Sequence, residues 1–319
     1  MEQAQSARLE IIGAEFLGVR SLCCQVTLPH RRILIDPGLA LGLVRHGLTP
    51  HPLQIAVGRR IREEIIQRLR CATDLVFSHY HGDHIPLVDA NPYQLSFKAL
   101  PKSFCQLRCW AKSGDKLSGA MRKRFEDLAK LLWGENLQDA EGRTEGELSF
   151  SVAVPYGERD SGLGSVMMTR ITMGRRIFVH ASDIQLLDDA TVDQLIAWRP
   201  DIVLAAGPPL YLERLSKAAR KIAWNNAVRL ARNVDTLILD HHLMRSNEGA
   251  DWLQRISSIV GKRVYCAADY MRQPRRLLEA HRVRLYEQIP VPEGWHDDYV
   301  ASRVNPDRLL DSLRDRVYT

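Results

Sequence analysis

Hydrophobic and polar positions change their period several times along the chain. Apolar blocks over 9–14, 22–28 and 31–35 are broken by Gly18 and by Pro29-His30, which predicts three short strands, the last two joined by a tight turn. Asp36-Pro37-Gly38 then stops the third block with turn chemistry. Over 52–70 the period becomes helical: Ile55, Ile61, Ile65, Ile66 and Leu69 share one side, with arginines and glutamates on the other. A buried strand over 74–77 follows, and it runs straight into a cluster of histidines. Further on, the pattern predicts a helix over 115–133, a loop over 136–146, and strands over 147–154, 165–172 and 176–180. The last third alternates: helix 188–198, strand 201–205, helix 211–233, strand 235–240, helix 247–260, strand 263–267, helix 271–281. Strands dominating early and alternating with helices later predict an α/β fold, with helices packed outside one or two sheets. No linker or repeat interrupts it. The expected organisation is one domain over 1–290, with a charged, proline-containing tail over 291–319 wrapping its surface.

Composition changes this picture little. At 319 residues and 45% hydrophobic, the chain can bury a core without disulfide staples. The six cysteines form no Cys-x-x-Cys pair and read as free thiols of a reducing compartment. The first ten residues lack the basic-then-apolar pattern of a secretion signal, and no stretch approaches the ~18 apolar residues of a membrane span. A cytoplasmic protein that does not engage a membrane is therefore expected. The net charge of +6 favours anionic partners, but the basic clusters at 122–124, 272–276 and 281–284 read as solvated helix faces. A small-molecule or phosphate-containing substrate is expected, and nucleic acid is not favoured.

The chemistry concentrates in His79-x-His81-x-Asp83-His84, three histidines and a carboxylate within six residues. The run follows a buried strand, at the carboxyl end where α/β proteins bind ligands. Residues two apart in an extended segment point the same way, so His79 and His81 can grip one ion. Asp83 and His84, past Gly82, can face a neighbouring one. Imidazole and carboxylate donors suit zinc, with manganese or iron as alternatives. Two more strand ends carry suitable groups: Asp183 after the 176–180 strand, and His241 with His242 after the 235–240 strand. The glycine run 161–164 lacks the Lys-Ser/Thr ending of a phosphate loop and reads as a loop over the site.

The order Asp36, His79-x-His81-x-Asp83-His84, Asp183, His241 resembles the metallo-β-lactamase fold superfamily, from Gly18 to about Arg245. The runs 17–21, 36–42, 46–52, 78–84, 181–185, 207–212 and 240–243 are similar to an uncharacterised prokaryotic branch of its predicted hydrolases. The resemblance implies a four-layer αββα sandwich and two divalent metal ions. His79 and His81 would hold the first ion, and Asp83, His84 and His241 the second, with Asp183 bridging and Asp36 orienting the histidine loop. His241 is preferred to His242 because it follows its strand as His79 follows Ser78. A hydroxide held by the metals would be the nucleophile, with Asp83 orienting it or accepting its proton.

The chain departs from the superfamily at one position. Another histidine ligand for the first ion is expected between the histidine loop and Asp183, yet the sequence there reads Pro155-Tyr156-Gly157. Tyr156 could ligate as phenolate, His180 could substitute, or the first ion could be held by His79, His81, Asp183 and water, which leaves one-metal occupancy open. The function implied is a metal-dependent hydrolase of unspecified substrate. The alternatives are a nucleic-acid phosphodiesterase, or a catalytically impaired member that serves as a binding or scaffold subunit.

Overall fold

Two mixed six-stranded sheets and one two-stranded antiparallel sheet, residues 154–155 with 165–166, divide the chain between them. The structure, a computed structural model, describes residues 7–132, 136–158 and 164–308. The first half contributes β1 (Arg8–Ile11), β2 (Cys24–Thr27), β3 (Arg32–Ile35), α1 (Pro52–Cys71), β4 (Asp74–Phe77), β5 (Arg108–Ala111), α2 (Gly119–Leu131) and β6 (Leu137–Asp139). The second half contributes β7 (Thr144–Glu145), β8 (Leu148–Phe150), β9 (Val154–Pro155), β10 (Ser165–Val166), β11 (Thr169–Met173), β12 (Arg176–His180), α3 (Asp189–Ala197), β13 (Ile202–Ala205), α4 (Lys217–Asn233) and β14 (Thr236–Leu239). The helices α5 (Glu248–Val260), α6 (Ala267–Met271), α7 (Arg282–Gln288) and α8 (Trp295–Val300) follow. One six-stranded sheet has the order β1-β2-β3-β4-β5-β6, and the other β14-β13-β12-β11-β8-β7. The strands β3 to β6 run parallel, as do β12, β13 and β14, while the hairpins at β1–β3 and β8–β11–β12 are antiparallel.

Strand alternation builds the layers. In the first sheet Ile33, Ile35, Val76 and Trp110 face the second sheet, while Leu34, Leu75, Phe77 and Cys109 face α1 and α2. Trp110 stacks on Phe150 of β8, with ring centroids 5.7 Å apart, which fastens one sheet to the other. Beyond the second sheet, α3, α4 and α5 bury Val192, Leu195, Leu230 and Ile256 against β12–β14. The result is the αββα order that the resemblance implies. Full burial of each such side chain is worth about 1.5–3 kcal/mol. Among the described residues no helix is long and apolar enough to cross a membrane.

Local sequence sets the helix ends. His51 Nδ1 accepts from Leu53 N–H at 3.1 Å and Pro52 opens α1; Asp188 and Ser216 cap α3 and α4 in the same manner. Where β4 begins, Asp74 is fully buried and accepts from Arg31 at 2.7 and 3.1 Å, Arg108 at 2.9 Å, Trp110 at 3.1 Å and Thr73 at 2.7 Å. This knot anchors the strand that delivers the histidines, at the end opposite them. Near the tail, His296 of α8 lies 2.7 Å from Thr49 Oγ1 and 3.0 Å from the Tyr286 hydroxyl.

Several expected elements differ. The 263–267 strand is only a bridge from Tyr265 to Ile238, because Asp240 captures Ala267 N–H at 2.9 Å and starts α6 there. The 271–281 helix does not form: Arg272 adopts φ 54° and caps α6, and Pro274 follows. The 136–146 loop contains β6 and β7, and the 211–233 helix starts at Lys217 behind the Ser216 cap. The expected helix end at Trp133, the glycine run except Gly164, and tail residues 309–319 lie outside the described residues.

Candidate metal centre

The carboxyl ends of β3, β4, β12 and β14 open on one rim, where the sequence had scattered its donors. Asp36 leaves β3 with φ 47°, Ser182 follows β12 with φ 53°, and both are buried. The left-handed region is uncommon for such residues and recurs at functional sites. Gly38 completes the turn. A Cβ there would overlap the His84 carbonyl carbon and the Ile85 nitrogen, so only glycine lets the turn lie against the histidine loop.

Asp36 organises the inner side. Its Oδ1 accepts Ser78 N–H at 2.8 Å, and its Oδ2 accepts Ser78 Oγ–H at 2.5 Å and lies 2.9 Å from His84 Nδ1. Burial works to raise the Asp36 carboxyl, but the His84 hydrogen bond and neighbouring imidazoles outweigh it and hold the group below its ordinary value.

Asp183 stands at the middle, 1% exposed. Its Oδ2 lies 3.3 Å from His79 Nε2, 3.4 Å from His81 Nδ1 and 3.2 Å from His242 Nε2. Its Oδ1 lies 3.1 Å from His84 Nε2 and 3.6 Å from His241 Nε2, and His241 Nε2 is 3.3 Å from Asp83 Oδ2. One carboxylate therefore separates two groups of donors. His79, His81 and Asp183 form one, and Asp83, His84 and His241 another, each with ligand atoms within 4.8 Å of one another; Asp183, His241 and His242, and Asp36, His79 and His84, meet the same distance.

The electrostatics suit a cation. Burial and the neighbouring His84 bring His79 down to about 4, and burial with Arg245 brings His241 down to about 3, so both are neutral near pH 7, with Arg245 Nη2 lying 2.8 Å from His241 Nε2. Burial opposes ionisation of Asp183 and Asp83, yet the imidazoles around them hold both carboxyls well below the usual range. Only His84, between Asp183 and Asp36, is pushed well up, against burial. Asp183 Oδ1 and both His242 ring nitrogens are buried without a hydrogen-bond partner. Unsatisfied buried polar atoms cost about 1–3 kcal/mol each, and a divalent ion is the kind of partner this donor set lacks. The residues present fit a metal pair.

Tyr156 and His180 lie differently. The Tyr156 ring is 5.7 Å from that of His81, beside the cluster, and burial with Asp183 pushes its phenol up to about 12. The His180 Nε2 lies 3.0 Å from the Leu22 carbonyl oxygen, and its Nδ1 is buried without a hydrogen-bond partner.

Comparison with known proteins supplies the family. A UPF0282 protein of Methanosarcina mazei is 47% identical over 292 residues, covering 92% of this chain and 96% of that one. A second UPF0282 protein, from Thermococcus onnurineus, is 32% identical over 286 residues, covering 86% and 94%. The chain belongs to the UPF0282 family. No family model matches the sequence. Among solved structures, the UPF0282 chain is similar to the metallo-beta-lactamase fold protein YhfI from Bacillus subtilis, at TM-score 0.49 and 14% identity, over 82% of this chain and 97% of that one. It is also similar to Igni18, a metallo hydrolase from Ignicoccus hospitalis, at TM-score 0.44 and 12% identity, over 82% and 94%. Likenesses this distant say nothing about chemistry, which has to come from the site.

Three residues of this UPF0282 site were not legible as site residues. Arg245 is buried and donates from Nη2 to His241 Nε2 at 2.8 Å, with Asp83 Oδ2 at 3.4 Å, Glu15 Oε2 at 3.3 Å from its Nε, and the Tyr211 hydroxyl at 3.3 Å. Its spacing of four from His241 is the only local signal, and the partner Glu15 is 230 positions away. Ser78 and Ser182 Oγ atoms lie 2.6 Å apart beneath His79. Their adjacency to His79 and Asp183 in sequence was the available hint.

Proposed function

We infer that this protein is a metal-dependent hydrolase acting at the Asp183 centre. The observation that carries the reading is the split of one buried carboxylate between two donor groups, Oδ2 toward His79 and His81 and Oδ1 toward His84 and His241. Nitrogen and carboxylate donors favour zinc, with manganese and iron the other metals to be tried. A divalent pair bound there would supply a Lewis acid and lower a water's pKa from 15.7 to roughly 7.

The chain's own residues have distinct tasks in this reading. Asp36 fixes the His84 ring through Nδ1 and leaves Nε2 facing the centre. Asp83 stays a carboxylate at neutral pH, so it serves as anionic donor and hydrogen-bond acceptor for a water. Arg245 balances that charge from behind. Ser78 and Ser182 hold the underside of His79, whose Nδ1 lies 2.9 Å from Ser78 Oγ.

The test is metal analysis of purified protein followed by a screen with generic ester, lactone and phosphodiester substrates. Turnover that rises with metal and disappears in His81→Ala and Asp183→Ala, both still folded, supports the reading. A phosphodiesterase outcome would assign the nuclease alternative. Protein that takes up no zinc, manganese or iron would overturn the hydrolase reading in favour of a binding subunit.

A further inference from the structure

The resemblance expects a third histidine for the first metal position, and the sequence has Tyr156 where it should be. Three side chains compete to replace it. The Tyr156 ring packs edge-on beside that of His81, with centroids 5.7 Å apart, and a phenol with its ordinary pKa of ~10 is a poor ligand at neutral pH. His180 spends Nε2 on the Leu22 carbonyl oxygen.

His242 has the geometry the other two lack. It follows β14 directly after His241, where its backbone turns into αR conformation (φ −76°, ψ −38°) and starts a short 3-10 turn. Its amide donates to the Ala206 carbonyl at 3.1 Å, which ties that turn to the end of β13. The reversal sets the two neighbouring rings perpendicular, 89° between planes with centroids 4.8 Å apart. Their Nε2 atoms consequently reach opposite oxygens of Asp183: His241 lies 3.6 Å from Oδ1, and His242 lies 3.2 Å from Oδ2. Oδ2 is the oxygen that His79 and His81 also approach, at 3.3 and 3.4 Å. His242 is 9% exposed and neither ring nitrogen has a hydrogen-bond partner. A buried imidazole in that state is costly unless something binds it.

We propose that His242 is the third imidazole ligand of the first metal position, completing His79, His81 and Asp183 Oδ2 in place of a histidine at 156. The proposal rests on the metal-centre reading above. It gives the first position four protein ligands, three nitrogens and one oxygen, and leaves His84, His241, Asp83 and Asp183 Oδ1 to the second. His241 and His242 also share a donor group with Asp183, so the assignment of His242 to the first position rests on its 3.2 Å approach to Oδ2.

The experiment is metal uptake by the full chain, read without substrate. Zinc stoichiometry after dialysis, affinity by chelator competition and the visible spectrum of the cobalt-substituted protein are compared for wild type, His242→Gln, His242→Ala, His81→Ala, Tyr156→Phe and His180→Ala. Two equivalents are expected in wild type, Tyr156→Phe and His180→Ala. His242→Gln and His242→Ala should lose the first position by about 100-fold or more, more than the 10–100-fold typical of residues that only support a ligand. Their cobalt spectrum should change as that of His81→Ala does. The glutamine fills the space of the ring, so its circular dichroism separates ligand loss from unfolding. His242→Gln with wild-type affinity beside a depleted His81→Ala would overturn the role of His242 while leaving the metal centre standing. A wild type that binds no zinc, manganese or iron would remove the centre, and this ligand with it.

Discussion

Changing Asp36 to asparagine tests how the centre is held in shape. Asp36 Oδ1 is committed to the Ser78 backbone N–H at 2.8 Å, a donor that cannot turn away. Asparagine would keep its carbonyl there and present its NH2 at the position of Oδ2, 2.9 Å from His84 Nδ1. His84 Nδ1 would then have to accept a hydrogen bond, and the ring proton would move to Nε2. Nε2 is the atom 3.1 Å from Asp183 Oδ1 that a metal needs unprotonated. Backbone strain does not confuse the result, because asparagine tolerates the φ of 47° found at this position. Loss of such an orienting partner typically weakens metal binding 10–100-fold, about 1.4–2.7 kcal/mol. The effect should fall on the second metal equivalent, measured by chelator competition. The tautomer of His84 should switch in nitrogen-15 histidine spectra of the metal-free protein at a pH above its raised pKa. Asp36→Asn with affinity within threefold of wild type, or with an unchanged His84 tautomer, would refute the reasoning.

Other perturbations probe other parts of the molecule. With His242 in the first position, as proposed, Tyr156→His should leave first-metal affinity within about threefold but should restore it in a His242→Gln background; tenfold tightening in the single variant by chelator competition would show the position undersupplied. Arg245→Met removes a cation that donates to His241 Nε2 at 2.8 Å, so the second equivalent should bind more tightly by titration calorimetry; weaker binding would make Arg245 a shaping residue instead of a competitor. Asp74→Asn should destabilise the fold by about 2 kcal/mol in urea melts, the equivalent of lowering its carboxyl from 3.8 to about 2, where hydrogen bonds from Arg31, Thr73 and Trp110 overcome the opposing effect of burial. Because the folded value is depressed, that stabilisation is present in full above the unfolded carboxyl value of about 4 and is lost as pH falls through 2. A wild-type-minus-variant gap that fails to shrink between pH 5 and pH 2 would contradict this.

The sequence displayed the centre better than its surroundings. His79 to His84 were readable because the apolar run Leu75-Val76-Phe77 leads directly into them and the donors are clustered. Asp183 and the 241–242 pair were readable as strand ends, and the helix at 52–71 was clear from its isoleucine spacing. The relative placement of His241 and His242 was not legible, because it depends on a single αR residue turning one ring across the other. Arg245 was hidden for another reason: its partners Glu15, Asp83 and Tyr211 come together only once the two halves of the chain have packed. The strand expected at 263–267 failed because Asp240, a residue of a different element, recruits the amide of Ala267. Such long-range capture leaves no periodic trace.

The contact between Gly38 and the 84–85 backbone works as a mechanical stop. Main chain meets main chain there, with no flexible side chain to absorb a displacement. Any side chain at position 38 would therefore push the Asp36 turn and the histidine loop apart. The spacing between the part of the centre carried by β3 and the part carried by β4 is set at the level of the peptide backbone, before any donor selects a rotamer. For a metal bound there, as proposed, the distance between those two parts would be held by backbone contact and not by the choice of side-chain rotamer.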